Sequence, residues 1–233
     1  MSTGDGADLE AVGRAPQSRR DLVFLVLAGI FITHALLGEL VGGKLVEVSG
    51  WVMSIGVIPW PVVFITTDLV NEYYGAAAVR RLTLLTVALI IYTFGVLYIC
   101  IDLPAAGISP VDDDSFTTVF AQSTWIILGS VVAFAVSQLL DVMVFVFLRR
   151  RTRGRLLWLR AVGSTVVSQL VDTFVINSIA FGVPGKLTGG QIVELSVTNY
   201  GYKFLVALAT LPAIYLGHGI LDRYLRGDER PGA

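Results

Sequence analysis

Long apolar runs separated by short polar stretches dominate this sequence. A helix rises about 1.5 Å per residue, so ~20 helical residues cross the ~30 Å hydrocarbon core of a bilayer. The runs that could span a membrane are Leu22–Leu40, Trp51–Thr67, Leu82–Ile101, Trp125–Leu148, Leu156–Val183 and Val197–Leu221. The pattern predicts an all-α integral membrane protein with six transmembrane helices between residues 21 and 222.

Basic residues are distributed unequally over the loops between these runs. Thirteen arginines lie before the first run, in the second and fourth loops, or after the sixth run, whereas the other loops hold Lys44 and Lys186. Basic residues accumulate in cytoplasmic loops. We therefore expect both termini in the cytoplasm and the acidic loop with Asp102 and Asp112 on the opposite side of the membrane.

Composition agrees with this class of protein. The chain is 55% hydrophobic and 15% charged, with a mean hydropathy of +0.74, which is typical of membrane proteins. Residues 1–20 are rich in Gly, Ala, Ser and Asp and lack an apolar core, so we expect a disordered cytoplasmic N-terminus rather than a signal peptide. Residues 223–233 are predicted to form a cytoplasmic tail. These lengths leave no room for a soluble catalytic domain.

One seven-residue segment occurs twice. Ala-Val-Ser-Gln-Leu-Leu-Asp at 135–141 returns as Val-Val-Ser-Gln-Leu-Val-Asp at 166–172. The copies fall in adjacent antiparallel spans, and each places its serine, glutamine and aspartate along one helix face. We expect these faces to meet inside the bilayer; the alternative is chance recurrence in apolar sequence.

A third polar stripe lies at the end of the second run, where Asp68, Asn71 and Glu72 share one helix face. Eight to twelve residues separate Asp68, Asp141 and Asp172 from the arginines expected near the membrane surface, or ~12–18 Å along a helix. An ionised side chain at such a depth costs at least ~2.5–3.5 kcal/mol. These acids are therefore expected to face a cavity or a partner rather than lipid.

Two basic residues lie within the apolar runs. Lys203 is the expected cationic partner of Asp172, because both should lie toward the outer half of the membrane. One lysine cannot neutralise four buried acids, so a single structural ion pair does not account for the set. Arg160 is expected to extend its side chain to the membrane surface.

The sequence offers little for catalysis or metal binding. We do not expect His34 or His218 to bind a metal, and the single cysteine, Cys100, lies in an apolar run. Motifs of zinc proteases, nucleophile elbows and ATP phosphate loops are absent from the sequence. We therefore predict no cofactor, no metal and no ATPase activity. A membrane-embedded enzyme that uses the buried carboxylates as acid, base or ligands is the alternative from another class.

A proline pair lies inside the second run, in the segment Pro59-Trp60-Pro61. Proline removes a backbone hydrogen bond. The segment therefore predicts either a broken helix whose free carbonyls line a cavity, as in transporters, or the outer end of the helix.

Three segments carry a family resemblance: Phe-Ile-Thr-Thr-Asp-Leu-Val-Asn-Glu-Tyr-Tyr-Gly at 64–75, Ser-Gln-Leu-Leu-Asp at 137–141, and 164–173. With Lys44 upstream, they resemble the queuosine precursor transporter family, also called the VUT family. The resemblance covers roughly residues 22–222. It implies uptake of 7-cyano-7-deazaguanine or 7-aminomethyl-7-deazaguanine across the bacterial inner membrane by a secondary transporter. It also implies an organisation similar to the S-components of energy-coupling-factor vitamin transporters. We expect no energy-coupling-factor module and no nucleic-acid partner; a homodimer is left open.

The polar residues suit a guanine-like substrate. A carboxylate can accept two adjacent N–H groups of the base, and amides can serve its remaining ring atoms. Trp60, Tyr73 and Tyr74 are expected to offer stacking faces, and an acid not used for the base could carry a coupling proton. The predicted pocket consists of Asp68, Asn71, Glu72, Gln138, Asp141, Gln169, Asp172 and Lys203. Another purine-like or vitamin-like solute, an ion channel and a structural subunit are the alternatives.

Overall fold

The computed structural model describes residues 18–42, 44–48, 51–121, 124–153 and 155–226. The expected disordered segment 1–20 and tail 223–233 lie mostly outside these residues. Arg19 and Arg20 already belong to the first helix, and 223–226 to the last. In chain order the described elements are α1 Arg19–Val41, β1 Leu45–Val48, β2 Trp51–Ser54, a 3₁₀ turn Ile55–Val57, α2 Trp60–Tyr74, α3 Ala76–Asp102, α4 Asp113–Phe120, α5 Thr124–Arg151, α6 Leu157–Asn177, a π-helical turn Ser178–Gly182, α7 Gly189–Ala209 and α8 Leu211–Arg226.

The helices confirm a multi-pass, mostly helical membrane protein. In the described part of the chain, the helices around α1, α3, α5 and α6 are each long and apolar enough to cross a bilayer. A fifth span results if α7 and α8 are joined across their 43° bend. Helix α2 has 15 residues, fewer than the ~20 that a perpendicular helix needs.

The second apolar run folds differently from its predicted helix. Its first residues, Trp51–Ser54, pair antiparallel with Leu45–Val48 in a β-hairpin, with Leu45 opposite Ser54. The sequence did not predict this hairpin. The proline segment begins α2 rather than interrupting it, since Pro59 is the N-cap residue and proline in a first turn loses no helical hydrogen bond. Helix α2 therefore starts nine residues after Trp51 and carries the polar stripe in its second half.

Apolar side chains cover the outside of the bundle, whereas the inside is unusually polar. Leu25 is 62% exposed, Met143 63% and Leu205 64%. Among the described residues, buried polar side chains are nearly as numerous as buried apolar ones. In water this distribution would be unfavourable, but in a bilayer the apolar surface contacts lipid and the polar interior is shielded.

Helices α5 and α6 form the most extensive helix pair in the described chain. A glycine permits their close approach at one end. A Cβ atom at Gly129 would lie 3.2 Å from the carbonyl oxygen of Ile176 and 3.3 Å from the Cβ of Ile179. The antiparallel pairing brings the two copies of the repeated segment side by side.

Several element ends meet at one end of the bundle. Arg20 Nη2 donates to the carbonyl of Tyr73 at 2.7 Å, and Tyr74 Oη donates to the carbonyl of Arg20 at 2.7 Å. Arg19 Nη1 donates to the carbonyl of Tyr224. We call this the arginine-rich end; it comprises the start of α1, the α2–α3 junction, the α5–α6 loop and the end of α8.

Candidate functional site

The structure distributes the predicted polar residues over two clusters in the bundle interior. The arginine cluster lies toward the arginine-rich end and the lysine cluster toward the opposite end. The arginine cluster comprises Asp68, Asn71 and Glu72 of α2, Asp141 and Arg149 of α5, and Arg160 and Ser168 of α6. The lysine cluster comprises Glu39 of α1, Ser130 and Ser137 of α5, Asp172 of α6 and Lys203 of α7.

Glu72 is held between two arginines. Arg160 Nη2 lies 3.0 Å from Glu72 Oε1, and Arg149 Nη2 lies 3.7 Å from the same oxygen. The Arg160 side chain is 6% exposed, so the expectation that it extends to the membrane surface is wrong. Its partner on α2 draws it inward, because a buried carboxylate and guanidinium compensate each other's loss of hydration.

Asp68 is the most isolated acid among the described residues. Its side chain is 0% exposed, and neither carboxylate oxygen has a hydrogen-bond partner in the described part of the protein. Asp141, Arg160 and Glu72 act on it electrostatically. Asn71, one turn further along α2, is 1% exposed and also lacks partners for its amide atoms there. Buried polar groups are normally satisfied, so these two side chains have unused binding capacity.

The repeated segments contact each other reciprocally. Ser137 Oγ, from the first copy, lies 3.3 Å from Asp172 Oδ1 of the second copy. Ser168 Oγ, from the second copy, lies 3.1 Å from Asp141 Oδ1 of the first copy. In each contact the hydroxyl donates to the carboxylate. The prediction that the two polar faces meet inside the bundle is confirmed, and each copy contributes its aspartate to a different cluster.

An ion pair organises the lysine cluster. Lys203 Nζ lies 2.6 Å from Asp172 Oδ2, as the sequence predicted. Glu39 is 7% exposed and accepts a hydrogen bond from Ser130 Oγ, and both Asp172 and Lys203 act on it electrostatically. Glu39 was not among the predicted site residues. Its signal in the sequence is an acid near the end of the first apolar run, Leu22–Leu40.

The two glutamines of the repeat lie between the clusters. Thr67 Oγ1, next to Asp68, lies 3.4 Å from Gln138 Oε1. Gln138 and Gln169 are 4% and 6% exposed. The contact of Thr67 with Gln138 connects α2 to α5 between the two charged clusters.

The three aromatic residues expected to stack on a substrate separate into two groups. Trp60 lies at the start of α2, with its ring 6.1 Å from Phe64 and 5.6 Å from Phe134. Tyr73 instead donates to Asp222 Oδ1 at 2.6 Å and packs on the ring of His218. Tyr74 packs against α1 at the arginine-rich end. The two tyrosines therefore brace α1 and α8 against α2.

A cavity opens at the arginine-rich end. Its volume is about 470 Å³, and of the predicted site residues its wall includes Asn71. The interior acids are closed from solvent, because Asp68 is fully buried and Asp141 is 5% exposed. This conformation is closed around Asp68 and Asp141, whereas Lys203 and Asp172 of the lysine cluster are partly exposed.

Charge in both clusters is unbalanced. The arginine cluster contains three acids and two arginines, and the lysine cluster contains two acids and one lysine. Each has one acid in excess if all groups are ionised. Because an uncompensated buried charge is costly, a proton or a hydrogen-bond donor from a ligand would stabilise each excess acid. Within the described residues, no group of three His, Cys, Asp or Glu side chains could hold a metal ion.

Comparisons with known proteins give a consistent picture. A family model described as "Putative vitamin uptake transporter" matches residues 54–217. The chain is 36% identical over 189 residues to the "Probable queuosine precursor transporter" of Bacillus subtilis (strain 168), covering 80% of this chain and 79% of that protein. It is 27% identical over 186 residues to the "Queuosine precursor transporter" of Escherichia coli (strain K12), covering 73% and 74% respectively. No solved structure matches significantly. The matched proteins are transporters rather than enzymes.

Proposed function

Because this chain belongs to the queuosine precursor transporter family, we propose that it takes up 7-deazaguanine precursors of queuosine across the bacterial inner membrane. The observation that carries the proposal is the unsatisfied pair Asp68 and Asn71, buried inside a bundle whose outer surface is apolar. A fully buried carboxylate without a partner costs stability, and a ligand that supplies hydrogen-bond donors would recover that cost.

A 7-deazaguanine base has the complementary groups. Its ring N–H and exocyclic amine are adjacent donors that one carboxylate accepts together, and the amides of Asn71 and Gln138 can serve its carbonyl and remaining nitrogens. We assign Asp68 to the base and the other predicted residues to the surrounding pocket. Trp60, with its aromatic neighbours Phe64 and Phe134, would supply the stacking face.

We propose that the substrate passes from the lysine cluster to the arginine cluster. The contacts of Ser137 with Asp172 and of Ser168 with Asp141 are reciprocal, as a local two-fold axis between the antiparallel helices α5 and α6 would produce. Transporters built from inverted repeats use such symmetry to alternate between outward and inward openings. Since the interior acids are closed from solvent, entry requires that α2 and α7 move relative to the α5–α6 pair.

The arginine-rich end is assigned to the cytoplasm, because basic residues accumulate on that side. With this orientation, the chain would cross the membrane six times and both termini would lie in the cytoplasm. The second span consists of α2 and the preceding β-hairpin and 3₁₀ turn, which extend the short helix toward the outer surface. A secondary transporter, without an energy-coupling-factor module, is favoured because each cluster holds one excess acid that could carry a coupling proton.

Restoration of tRNA modification tests this function. The host strain cannot make queuosine and lacks its own precursor transporter; it receives this chain and nanomolar 7-cyano-7-deazaguanine. Queuosine in tRNA should return with the parent chain. Asp68→Asn and Asp172→Asn should reduce labelled uptake by roughly 10-fold or more at equal membrane abundance, since a hydrogen bond to a charged group contributes about 1.5–3 kcal/mol.

The matched control is Asp114→Asn, which removes an exposed acid in the first turn of α4 and should leave uptake unchanged. No restoration by a well-expressed parent chain would reject the deazaguanine assignment in favour of another purine-like or vitamin-like solute. Equal uptake by Asp68→Asn and the parent would reject the proposed pocket while leaving the transport function intact.

A further inference from the structure

We propose that the cavity at the arginine-rich end binds a phosphate group, at a site that borders the proposed substrate pocket at Asn71. The cavity lies between the α2–α3 junction and the end of α5, with a volume of about 470 Å³. Its wall includes Asn71, Gly75, Ala76, Arg149, Arg150 and Arg153.

The wall is strongly positive. It contains three guanidinium groups and no acidic side chain. Arg149 lies 3.7 Å from the carboxylate of Glu72, which offsets part of its positive charge. No ion pair joins Arg150 or Arg153 to an acid among the described residues. Guanidinium groups bind phosphate oxygens in a bidentate geometry, so three of them around one cavity favour an anion with several acceptor oxygens.

The backbone adds further donors at the same place. Helix α3 starts at Ala76 and has 27 residues, and no side chain caps its first turn. Gly75, just before it, has a φ of +81°, a conformation that favours glycine. The free N–H groups and the positive end of a long helix attract anions.

Asn71 provides the independent indication of a ligand. It belongs to the cavity wall, it is 1% exposed, and neither atom of its side-chain amide has a hydrogen-bond partner among the described residues. Its amide N–H is a donor that a phosphate oxygen would satisfy. Asn71 also belongs to the proposed substrate pocket. The phosphate site would therefore lie next to the path that the substrate takes to the cytoplasm.

Two sources of phosphate fit this chemistry. One is the head group of an anionic lipid of the inner leaflet, since basic pockets at the membrane surface bind such groups. The other is free phosphate or a soluble phosphate ester. Both would place one phosphate group against Arg150, Arg153 and the start of α3.

Thermal unfolding of the purified full chain in neutral detergent tests the site. The probes are phosphatidylglycerol, the zwitterionic phosphatidylcholine, inorganic phosphate, and chloride at equal ionic strength. Phosphatidylglycerol, inorganic phosphate or both should raise the unfolding temperature in a saturable manner, whereas phosphatidylcholine and chloride should not. Stabilisation by the lipid alone identifies a head-group site, and stabilisation by both shows that phosphate itself is sufficient. No saturable stabilisation by either would overturn the proposal.

A pair of double variants separates this cavity from general surface charge. Arg150→Gln with Arg153→Gln should weaken binding roughly 10- to 100-fold, because two charge-assisted contacts are lost. Arg80→Gln with Arg81→Gln removes the same charge from exposed positions at the same end, outside the cavity wall, and should leave the affinity unchanged. Equal weakening by both pairs would contradict a defined site. Arg150→Lys with Arg153→Lys keeps the charge if the glutamine pair fails to fold; undiminished affinity in that variant would reject bidentate recognition.

Discussion

Buried charged side chains are expected to contribute strongly to the free energy of unfolding of this protein. Lys203 and Asp172 approach to 2.6 Å with side chains that are 26% and 14% exposed. A pair in such surroundings gains little over an apolar pair, but loss of one partner leaves an uncompensated charge. We therefore expect the protein to be less stable when one partner is replaced alone than when both are present or both are replaced.

A double-mutant cycle measures this dependence. Lys203→Met alone should lower the free energy of unfolding by roughly 3 kcal/mol, because Asp172 would then be buried without a cation. Asp172→Asn alone should also destabilise the protein, and the double variant should recover most of the loss. The measurement is thermal unfolding in detergent, with transport assayed in parallel. If the double variant regains stability but does not transport, the pair is required for function. If the losses of stability in the two single variants simply add up in the double variant, the two residues do not interact.

Predictions about single residues were correct where they depended only on which face of a helix a side chain occupies. The serine–aspartate contacts of the two repeats follow from helical spacing and antiparallel neighbours. Arg160 could not be placed in this way, because its inward orientation depends on Glu72 of another helix. Glu39 was missed for the same reason: its neighbours Asp172 and Lys203 come from distant parts of the chain. Spacing and depth predicted the Lys203–Asp172 pair, but the partners of Arg160 and Glu39 became clear only from the tertiary fold.

At the scale of elements, the α5–α6 pair is the scaffold of the site. It contributes one aspartate to each cluster and forms the most extensive helix contact in the described chain. Small residues permit close helix approach in membranes, and Gly129 lies where α5 packs closely against the end of α6 and the π-helical turn. We therefore expect the position to be sensitive to even one added carbon.

Two alanine substitutions test this packing with opposite expected signs. Gly129→Ala adds a Cβ 3.2 Å from a backbone oxygen and should destabilise the protein by about 1–3 kcal/mol. Gly95→Ala, on α3, has no atom within 4 Å of the added Cβ and should be neutral or stabilising by up to about 1 kcal/mol through helix propensity. Thermal unfolding of both variants gives the comparison. A similar shift for both would argue against close packing at Gly129.

The elements themselves were predictable to different degrees. Apolar runs about as long as a bilayer is thick, such as Leu82–Ile101 within α3, leave few alternatives to a helix. The Trp51–Ser54 segment is equally apolar, yet it forms a strand, because short apolar runs fit either a strand or a buried helix. The proline segment marks the start of α2 for a local reason, namely the fixed φ of proline. The sequence did not indicate that Trp51–Ser54 would pair with Leu45–Val48.

At the scale of the whole molecule, orientation in the membrane follows from charge. The starts of α1 and α3, the loop after α5 and the end of α8 are rich in arginine, whereas the loop after α3 carries Asp112–Asp114. The structure brings the first group together at one end. Translocation of many arginines is unfavourable, so this end is expected to stay in the cytoplasm.

Single cysteines can report this orientation in intact cells. After replacement of the native Cys100 by serine, Asp114→Cys and Lys186→Cys should react with a membrane-impermeant maleimide, because both positions are exposed at the opposite end. Arg81→Cys and Arg155→Cys, exposed at the arginine-rich end, should react only after permeabilisation. The reversed pattern would invert the molecule and with it the direction of transport proposed from the lysine cluster to the arginine cluster. It would also place the phosphate site on the outer surface, where phosphatidylglycerol of the inner leaflet could not reach it. A single labelling experiment therefore constrains the topology, the transport direction and the source of the phosphate.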